Sequence, residues 1–290
     1  MLANRLAGGT MTGPRISVVI PAYNEESMIG ACLDALEKQS RPADEVIVVD
    51  NNSTDRTADV LAEFRERVIV LHEPRQGVQF ARDRGMNAAT GDVIVRIDAD
   101  TRLPAGHLAG VEATFADPRV DAATGPVHYY DVTMPRVVAR GDALVRGIWT
   151  VPNGRLDWIF GANMAIRRST WRAVSAGLCA DERFHEDLDL GMHLRAAGHT
   201  VRYERRLTAG TSSRRIKGDY AGFRHYLLMT ERGYAQHIGR LRRGSYARAW
   251  MTARLLLVMY PMMRWLHTSH HRRHGLPVVA ARKNPMSTRA

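Results

Sequence analysis

Cysteine is nearly missing from this chain: of 290 residues only two are Cys, at positions 32 and 179. They lie far apart, with no CxxC pair and no Cys/His cluster along the sequence. That spacing excludes a disulfide-stapled secreted scaffold, and it predicts a reducing compartment and no structural zinc site. Long apolar runs are lacking too. The most apolar late stretch, LLLVMYPMM (Leu255–Met263), is cut by Pro261 and bounded by Arg254 and Arg264. A spanning helix needs about 20 apolar residues, so this segment is expected to be interfacial or packed, not transmembrane. The opening MLANRLAGGTMTGPR has no apolar core of signal-peptide length, and a cytoplasmic protein is expected. No internal repeat is visible.

Acidic residues are scarce in one region only. From position 201 onward there are 19 Lys and Arg against 3 Asp and Glu, a net +16; the first 200 residues hold 22 against 27, a net −5. An acidic body with a basic C-terminal third points to an anionic partner for that third, such as phosphorylated lipid, a membrane surface or nucleic acid. The 45% hydrophobic content is enough for a real core, and the length fits one large domain with an appendage.

Strand and helix patterns then alternate. ISVVIP (Ile16–Pro21) is a short apolar strand. The following NEESMIGACLDALEKQ is helical, with Asn24 as its expected N-cap and Ile29, Leu33 and Leu36 at helical spacing. EVIVVD, VIVLHE and DVIVRID read as further strands. Between them STDRTADVLAEFRER, with Ser53 or Thr54 as cap, and GVQFARDRGMNAA read as helices. Four repeats with short connections predict an α/β fold with a mostly parallel sheet covered by helices. Ligands of such sheets bind beyond the carboxyl ends of the strands, where YNEE, DNNSTD and DADT all stand. Later elements are expected as a helix at 104–115, a strand at 120–127, a strand running into a helix in WIFGANMAIRRSTW, a helix in EDLDLGMHLRAAG closed by Gly198, and a strand in HTVRYERRL. Helical, arginine-rich sequence runs from Lys217 to His271. The expected division is a disordered 1–14, a catalytic domain at 15–216, a helical segment at 217–275 and a disordered 276–290.

Five constellations carry possible chemistry. Asp98 and Asp100, two apart at a strand end, project to one side; such carboxylates suit Mg²⁺ or Mn²⁺ beside a diphosphate, or simply mark a turn before Pro104. Tyr23 stands where an aromatic face can stack on a base, or closes the edge of the core. Asp50 can accept a proton from a ring N–H, and the residues after it also suit turn chemistry. Arg82 can reach a diphosphate or a base, or sit solvated on its helix. Glu186 and Asp187 open a helix, where acidic residues offset the helix dipole and where a general base can also stand.

In this order and spacing, VVIPAYNEE, EVIVVDNNSTDRT, ARDRGMNAATGDVIVRIDADT, FGANMAIRR and HEDLDLGMHLRAAG resemble the family 2 glycosyltransferases of the GT-A fold, from about Ile16 to Tyr203. The resemblance implies an inverting transfer from a nucleotide sugar to a hydroxyl acceptor. It implies that Pro21, Tyr23, Glu25 and Asp50 hold base and ribose and that Asp98 and Asp100 are the DxD pair on the metal; Arg82 stays a donor-binding candidate from its place beneath the same edge. Gly161, Ala162 and Asn163 would line the sugar pocket, with Asp187 as the base and Glu186 as the alternative. The Tyr23/Asp50 pair leans toward a uracil nucleotide. Many relatives carry a histidine after the strand that follows the ED helix. Here ERRLTAGTSSRRIKG has none, and Arg214 and Arg215 are the cations that can replace it. The QxxRW signature of processive synthases is not found at its expected place, so single-sugar transfer is expected. The acceptor is expected to be lipid-linked or a surface glycan, with the basic segment on an anionic membrane at the inner face of the plasma membrane. A non-catalytic nucleotide- or glycan-binding module is the alternative. Nucleic-acid binding would leave the acidic motifs without a purpose and is not expected.

Overall fold

A computed structural model describes residues 13–147, 156, 158–179, 181, 183–214, 219–237, 239 and 244–274. Strands β1 (Ile16–Ala22), β2 (Glu45–Asp50), β3 (Ile69–His72) and β4 (Val93–Arg96) alternate with helices α1 (Ile29–Glu37), α2 (Thr57–Ala62) and α3 (Val78–Ala88). After α4 (His107–Phe115) come β5 (Ala122–Thr124), β6 (Val127–Tyr129), α5 (Pro135–Gly147), β7 (Met164–Arg167), α6 (Arg168–Val174), α7 (Glu186–Ala196), β8 (Val201–Tyr203) and β9 (Ala209–Thr211). Helices α8 (Tyr220–Gln236) and α9 (Ser245–His274) follow. The main sheet has seven strands in the order β3-β2-β1-β4-β7-β5-β8. Neighbours pair in parallel except at β7, which is antiparallel to β4 and β5.

The two-residue period of the strands builds two apolar layers. Ile16, Val18 and Ile20 of β1 join Leu33, Leu61, Leu108 and Phe115 on one face. Val19 joins Ile47, Val49, Met86, Trp171 and Leu190 on the other. Ser17 is buried between them, but its hydroxyl donates to Glu45 at 2.6 Å and accepts from the Gly91 amide at 2.8 Å. Pro21 lies past the last β1–β4 pair, Val19 with Arg96, so its missing N–H costs that ladder no bond.

Several expectations need correction. Asn24 does not cap α1, which starts at Ile29 without a side-chain cap. Asn24 instead takes a left-handed conformation (φ 53°), donates its amide to Ser53 Oγ and accepts from the Thr54 amide at 2.7 Å. Ser53 and Thr54 are thereby used against Asn24, and α2 also lacks a side-chain cap. The strand expected at 120–127 is two strands in two sheets, because β6 leaves the main sheet to pair in parallel with β9. The break falls at Gly125–Pro126, where proline offers no N–H to continue a ladder. Pro261 lies inside α9, within the stretch expected to be helical. Gly198 does close α7, at φ +83°, with His199 N–H bonded back to the Leu194 carbonyl. The expected absence of a Cys/His cluster holds for the chain order only: folding gathers Cys179, Asp189, His193 and His237.

Helices α8 and α9 pack on each other through Phe223, Leu227, Ala253 and Tyr260. Near its end α9 returns to the body: the Thr133 amide donates to the Leu266 carbonyl, and Ser213 Oγ lies 2.5 Å from His267 Nδ1. The outward face of α9 carries exposed Met251, Leu255, Val258, Met262 and Trp265. No helix among the described residues is long and apolar enough to cross a membrane.

Candidate active site

The connections from β1 lead to β2 on one side and those from β3 lead back to β4 on the other, so the strand order reverses between β1 and β4. A crevice opens at such a reversal beyond the carboxyl ends. Glu25 leaves β1 on one wall of it, and Asp98 and Asp100 leave β4 on the other. Because β7 runs antiparallel to β4, with Met164 opposite Arg96, its lead-in Gly161–Asn163 reaches the same edge.

Beyond β4 the chain turns, with the Thr101 amide bonded to the Asp98 carbonyl at 2.9 Å, so Asp98 and Asp100 stand on a turn and not on the extended strand expected from sequence. Ile97 and Ala99 enter the apolar layer. Asp98 is bonded by Arg96 at 2.9 Å, and Asp100 by Arg214 at 3.0 and 3.2 Å. The same Arg214 guanidinium holds both oxygens of Glu25, at 2.6 and 2.8 Å. Glu25, Asp100 and Arg214 are all buried. Buried charges persist when paired and hydrogen-bonded in this way; Thr211 Oγ1 adds a bond to Asp100 at 3.3 Å. Arg214, expected from sequence as a cation for the diphosphate or a lipid phosphate, or as a solvated residue, is bound to two site carboxylates. Arg215 lies outside the described residues.

Arg96 is the residue that sequence reasoning missed. It is the last residue of the buried strand VIVR, and its guanidinium joins Asp98 to Glu186 at 3.2 Å. A buried arginine closing an apolar strand was the available signal. Gly161 makes room for it: a Cβ at this glycine would meet Arg96 Nη1 at 2.0 Å. The Gly161 amide donates to Asp187 Oδ2 at 2.8 Å, and the Leu188 amide donates to Oδ1. Burial first, then the neighbouring charge of Glu186, raises the Asp187 carboxyl to about pKa 6 against the pull of the Gly161 N–H.

Other expected residues are placed as follows. Arg82 is buried beneath α7, donating to the Glu186 carbonyl at 2.7 Å and to Asp83, with Trp171 below it. The Asn163 side chain donates to the carbonyls of Leu207 and Pro126, and Ala162 offers its carbonyl to Thr101. Asp50 is half-buried at the end of β2, accepts from the Ser53 amide and lies 3.8 Å from His72 Nδ1. Pro21 is buried and Tyr23 half-buried along the β1 wall.

The carboxylates of Glu25, Asp98, Asp100, Glu186 and Asp187 outnumber the guanidiniums of Arg96 and Arg214 set among them. Excess negative charge on hard oxygen donors at one edge fits a divalent cation such as Mg²⁺ or Mn²⁺. Asp98, Glu186 and Asp187 are half-buried, whereas Glu25 and Asp100 are buried.

The profile of "Glycosyl transferase family 2" matches residues 17–160, and that of "Glycosyl transferase family group 2" matches residues 93–270. A Bacillus subtilis protein described as a probable glycosyltransferase, YdaM, is 31% identical over 215 residues, covering 66% of this chain and 49% of its own length. A Mycobacterium bovis glycosyltransferase, Mb0553, is 41% identical over 115 residues, covering 40% of this chain and 50% of its own. The chain thus spans about half the length of these curated relatives. Among solved structures, the Pyrobaculum calidifontis mannosyltransferase PcManGT, in complex with GDP-Man and Mn²⁺, superposes with a TM-score of 0.64 at 21% identity, over 96% of this chain and 79% of that one. Staphylococcus aureus TarS 1-349 with UDP-GlcNAc superposes with a TM-score of 0.54 at 16% identity, over 90% and 92%. From the matched profiles and the GT-A architecture of its sheet, the chain belongs to family 2 of the glycosyltransferases.

Proposed function

We propose that the protein is an inverting glycosyltransferase that moves a single sugar from a nucleotide-sugar donor, UDP-linked by preference, to a hydroxyl acceptor. One observation carries the reading most. A carboxylate with a raised pKa, Asp187, opens α7 and is tied through Glu186 and Arg96 to the Asp98 carboxylate of the DxD pair. This arrangement supports a base and a diphosphate site at one edge. The solved neighbours include complexes with GDP-Man, UDP and UDP-GlcNAc, which supports a nucleotide-sugar donor.

In this mechanism Tyr23 and Asp50 face the base, and Glu25, buried with both oxygens on Arg214, acts from beneath the ribose side and not by direct contact. Mg²⁺ or Mn²⁺ held by Asp98 and Asp100 would neutralise charge on the departing diphosphate. Arg214 holds Asp100 and Glu25 in place for that role. Asp187 accepts the proton of the acceptor hydroxyl as its oxygen bonds to the anomeric carbon. The bond from that carbon to the diphosphate oxygen breaks in the same step, and the nucleoside diphosphate leaves on the opposite face. Configuration inverts, and the proton remains on Asp187 until water removes it. A pKa of about 6 suits a general base, because the group is ionised at neutral pH yet basic enough to accept a proton in the transition state.

The acceptor belongs to cell-envelope, lipid-linked or surface glycan synthesis in this reading. The exposed apolar stripe of α9, flanked by Arg254 and Arg264, supports peripheral contact with an anionic membrane at its inner face. The test is a thermal-shift series with UDP, GDP, CDP and dTDP, each with and without Mn²⁺, followed by product analysis with the stabilising donor. A shift with one nucleotide that grows with Mn²⁺, together with a product of inverted configuration, is expected. Nucleotide binding without any transfer would mark a non-catalytic binding module, and no binding at all would remove the DxD assignment.

A further inference from the structure

Well apart from the acidic edge in chemistry, a second group of ligand-bearing side chains converges. Cys179 follows α6, Asp189 and His193 sit one turn apart on α7, and His237 follows the last residue of α8. Their ligand atoms all lie within 4.8 Å of one another. Cys179 Sγ is 3.6 Å from His193 Nε2 and 3.7 Å from His237 Nε2. Asp189 Oδ1 is 2.8 Å from His237 Nε2 and 3.5 Å from His193 Nε2.

We infer that Cys179, Asp189, His193 and His237 form a zinc site that staples α7 to the end of α8. The geometry is that of a tetrahedral shell. Zn–S bonds of about 2.3 Å and Zn–N or Zn–O bonds of about 2.05 Å put sulfur and nitrogen about 3.6 Å apart, and nitrogen and oxygen about 3.3 Å apart, at tetrahedral angles. The sulfur–nitrogen separations already match; the two oxygen–nitrogen separations lie on either side of the ideal. The donor set of one thiolate, two imidazoles and one carboxylate is borderline-soft, which selects Zn²⁺ over the hard cations that suit Asp98 and Asp100. The two imidazole rings meet edge-on at 84°, as rings from different helices pointing at a common centre do. The second oxygen of Asp189 is already taken by the Cys179 amide at 3.0 Å, the kind of outer contact that fixes the orientation of a metal ligand. Asp189 and His237 are deeply buried, while Cys179 and His193 reach the surface enough to admit an ion.

Binding releases the thiol proton of Cys179 to solvent, while each neutral imidazole binds through Nε2 and keeps its own proton on Nδ1. Four protein ligands close the shell, so the site is structural. It does not depend on the proposed transfer reaction. Its effect is positional: Asp189 is two residues from Asp187, so the staple fixes the helix that carries the proposed base and joins it to α8.

The test is metal analysis of tag-free protein expressed with zinc and dialysed against metal-free buffer. One zinc per chain is expected, retained by Asp100→Asn and lost by both Cys179→Ser and His237→Ala. Replacement by Co²⁺ should give the visible bands of a tetrahedral ion and a near-ultraviolet thiolate band that vanishes in Cys179→Ser. A wild-type protein that holds no zinc after supplementation overturns the site, whatever the fate of the variants. Zinc retained in folded Cys179→Ser, or lost only in Asp100→Asn, overturns it as well.

Discussion

The α/β body and the α8–α9 pair handle charge in opposite ways. In the body, arginines such as Arg96 and Arg214 are buried and each holds two carboxylates at defined distances. In the helical pair, basic residues lie mostly on a partly exposed surface beside an outward apolar stripe. Low dielectric makes the first kind of charge specific and costly to disturb, whereas solvent and salt screen the second. Chemistry that must place single protons is thus expected in the body, and contact that only needs a sign and an area in the helices.

The contrast can be broken most sharply at Asp187. Asp187→Asn should lower kcat by about 10²–10⁴-fold, the usual worth of a general base, with the far-ultraviolet spectrum unchanged. Comparable loss in a variant confined to the outer face of α9 would erase the distinction. Next is Arg214→Met, which removes the guanidinium from the buried carboxylates of Glu25 and Asp100. Losing one partner of such a set costs about 3–5 kcal/mol, measurable as a lower urea midpoint, whereas Arg264→Met should change it little.

The pH dependence sharpens the same point. Turnover should fall as pH drops through about 6, following protonation of Asp187. The stability contribution has the opposite sense. An unfolded Asp titrates near about 3.9, so between that value and about 6 the folded state binds more proton, and the contribution present at low pH is lost as pH rises through this window. A folded protein whose activity limb lies below pH 5 would contradict the buried base. The smallest change in stability belongs to α9. Val258 is 77% exposed, so Val258→Glu should shift stability by under about 0.5 kcal/mol. It should still cut binding to anionic vesicles about tenfold or more, because a buried valine contributes about 1.5–3 kcal/mol at an apolar surface. Unchanged co-sedimentation would remove the membrane assignment.

What could be read from the sequence was local. The period-two strands, the helical spacing of Ile29, Leu33 and Leu36, the carboxylates at strand ends and Gly198 after α7 all express themselves within a few residues. What escaped depends on distant segments meeting. Arg214 is 189 residues from Glu25 in sequence. Arg96 reaches Glu186 only because β4 and α7 converge on one edge. Cys179, Asp189, His193 and His237 come from three segments with no shared spacing. The helix caps failed for a related reason. Asn24 and Ser53 are good capping residues, but they bond each other between the ends of the paired strands β1 and β2 and cap neither helix.

The hydrogen bond between Ser213 and His267 has a practical result. Ser213 is the residue before Arg214, so the last turns of α9 brace the peptide that presents the guanidinium to Asp100 and Glu25. A shortened protein ending before α9 would not be the catalytic body minus an accessory. It would be a body whose donor crevice has lost a wall support, and its kinetics would describe that damaged crevice and not the role of the missing helix.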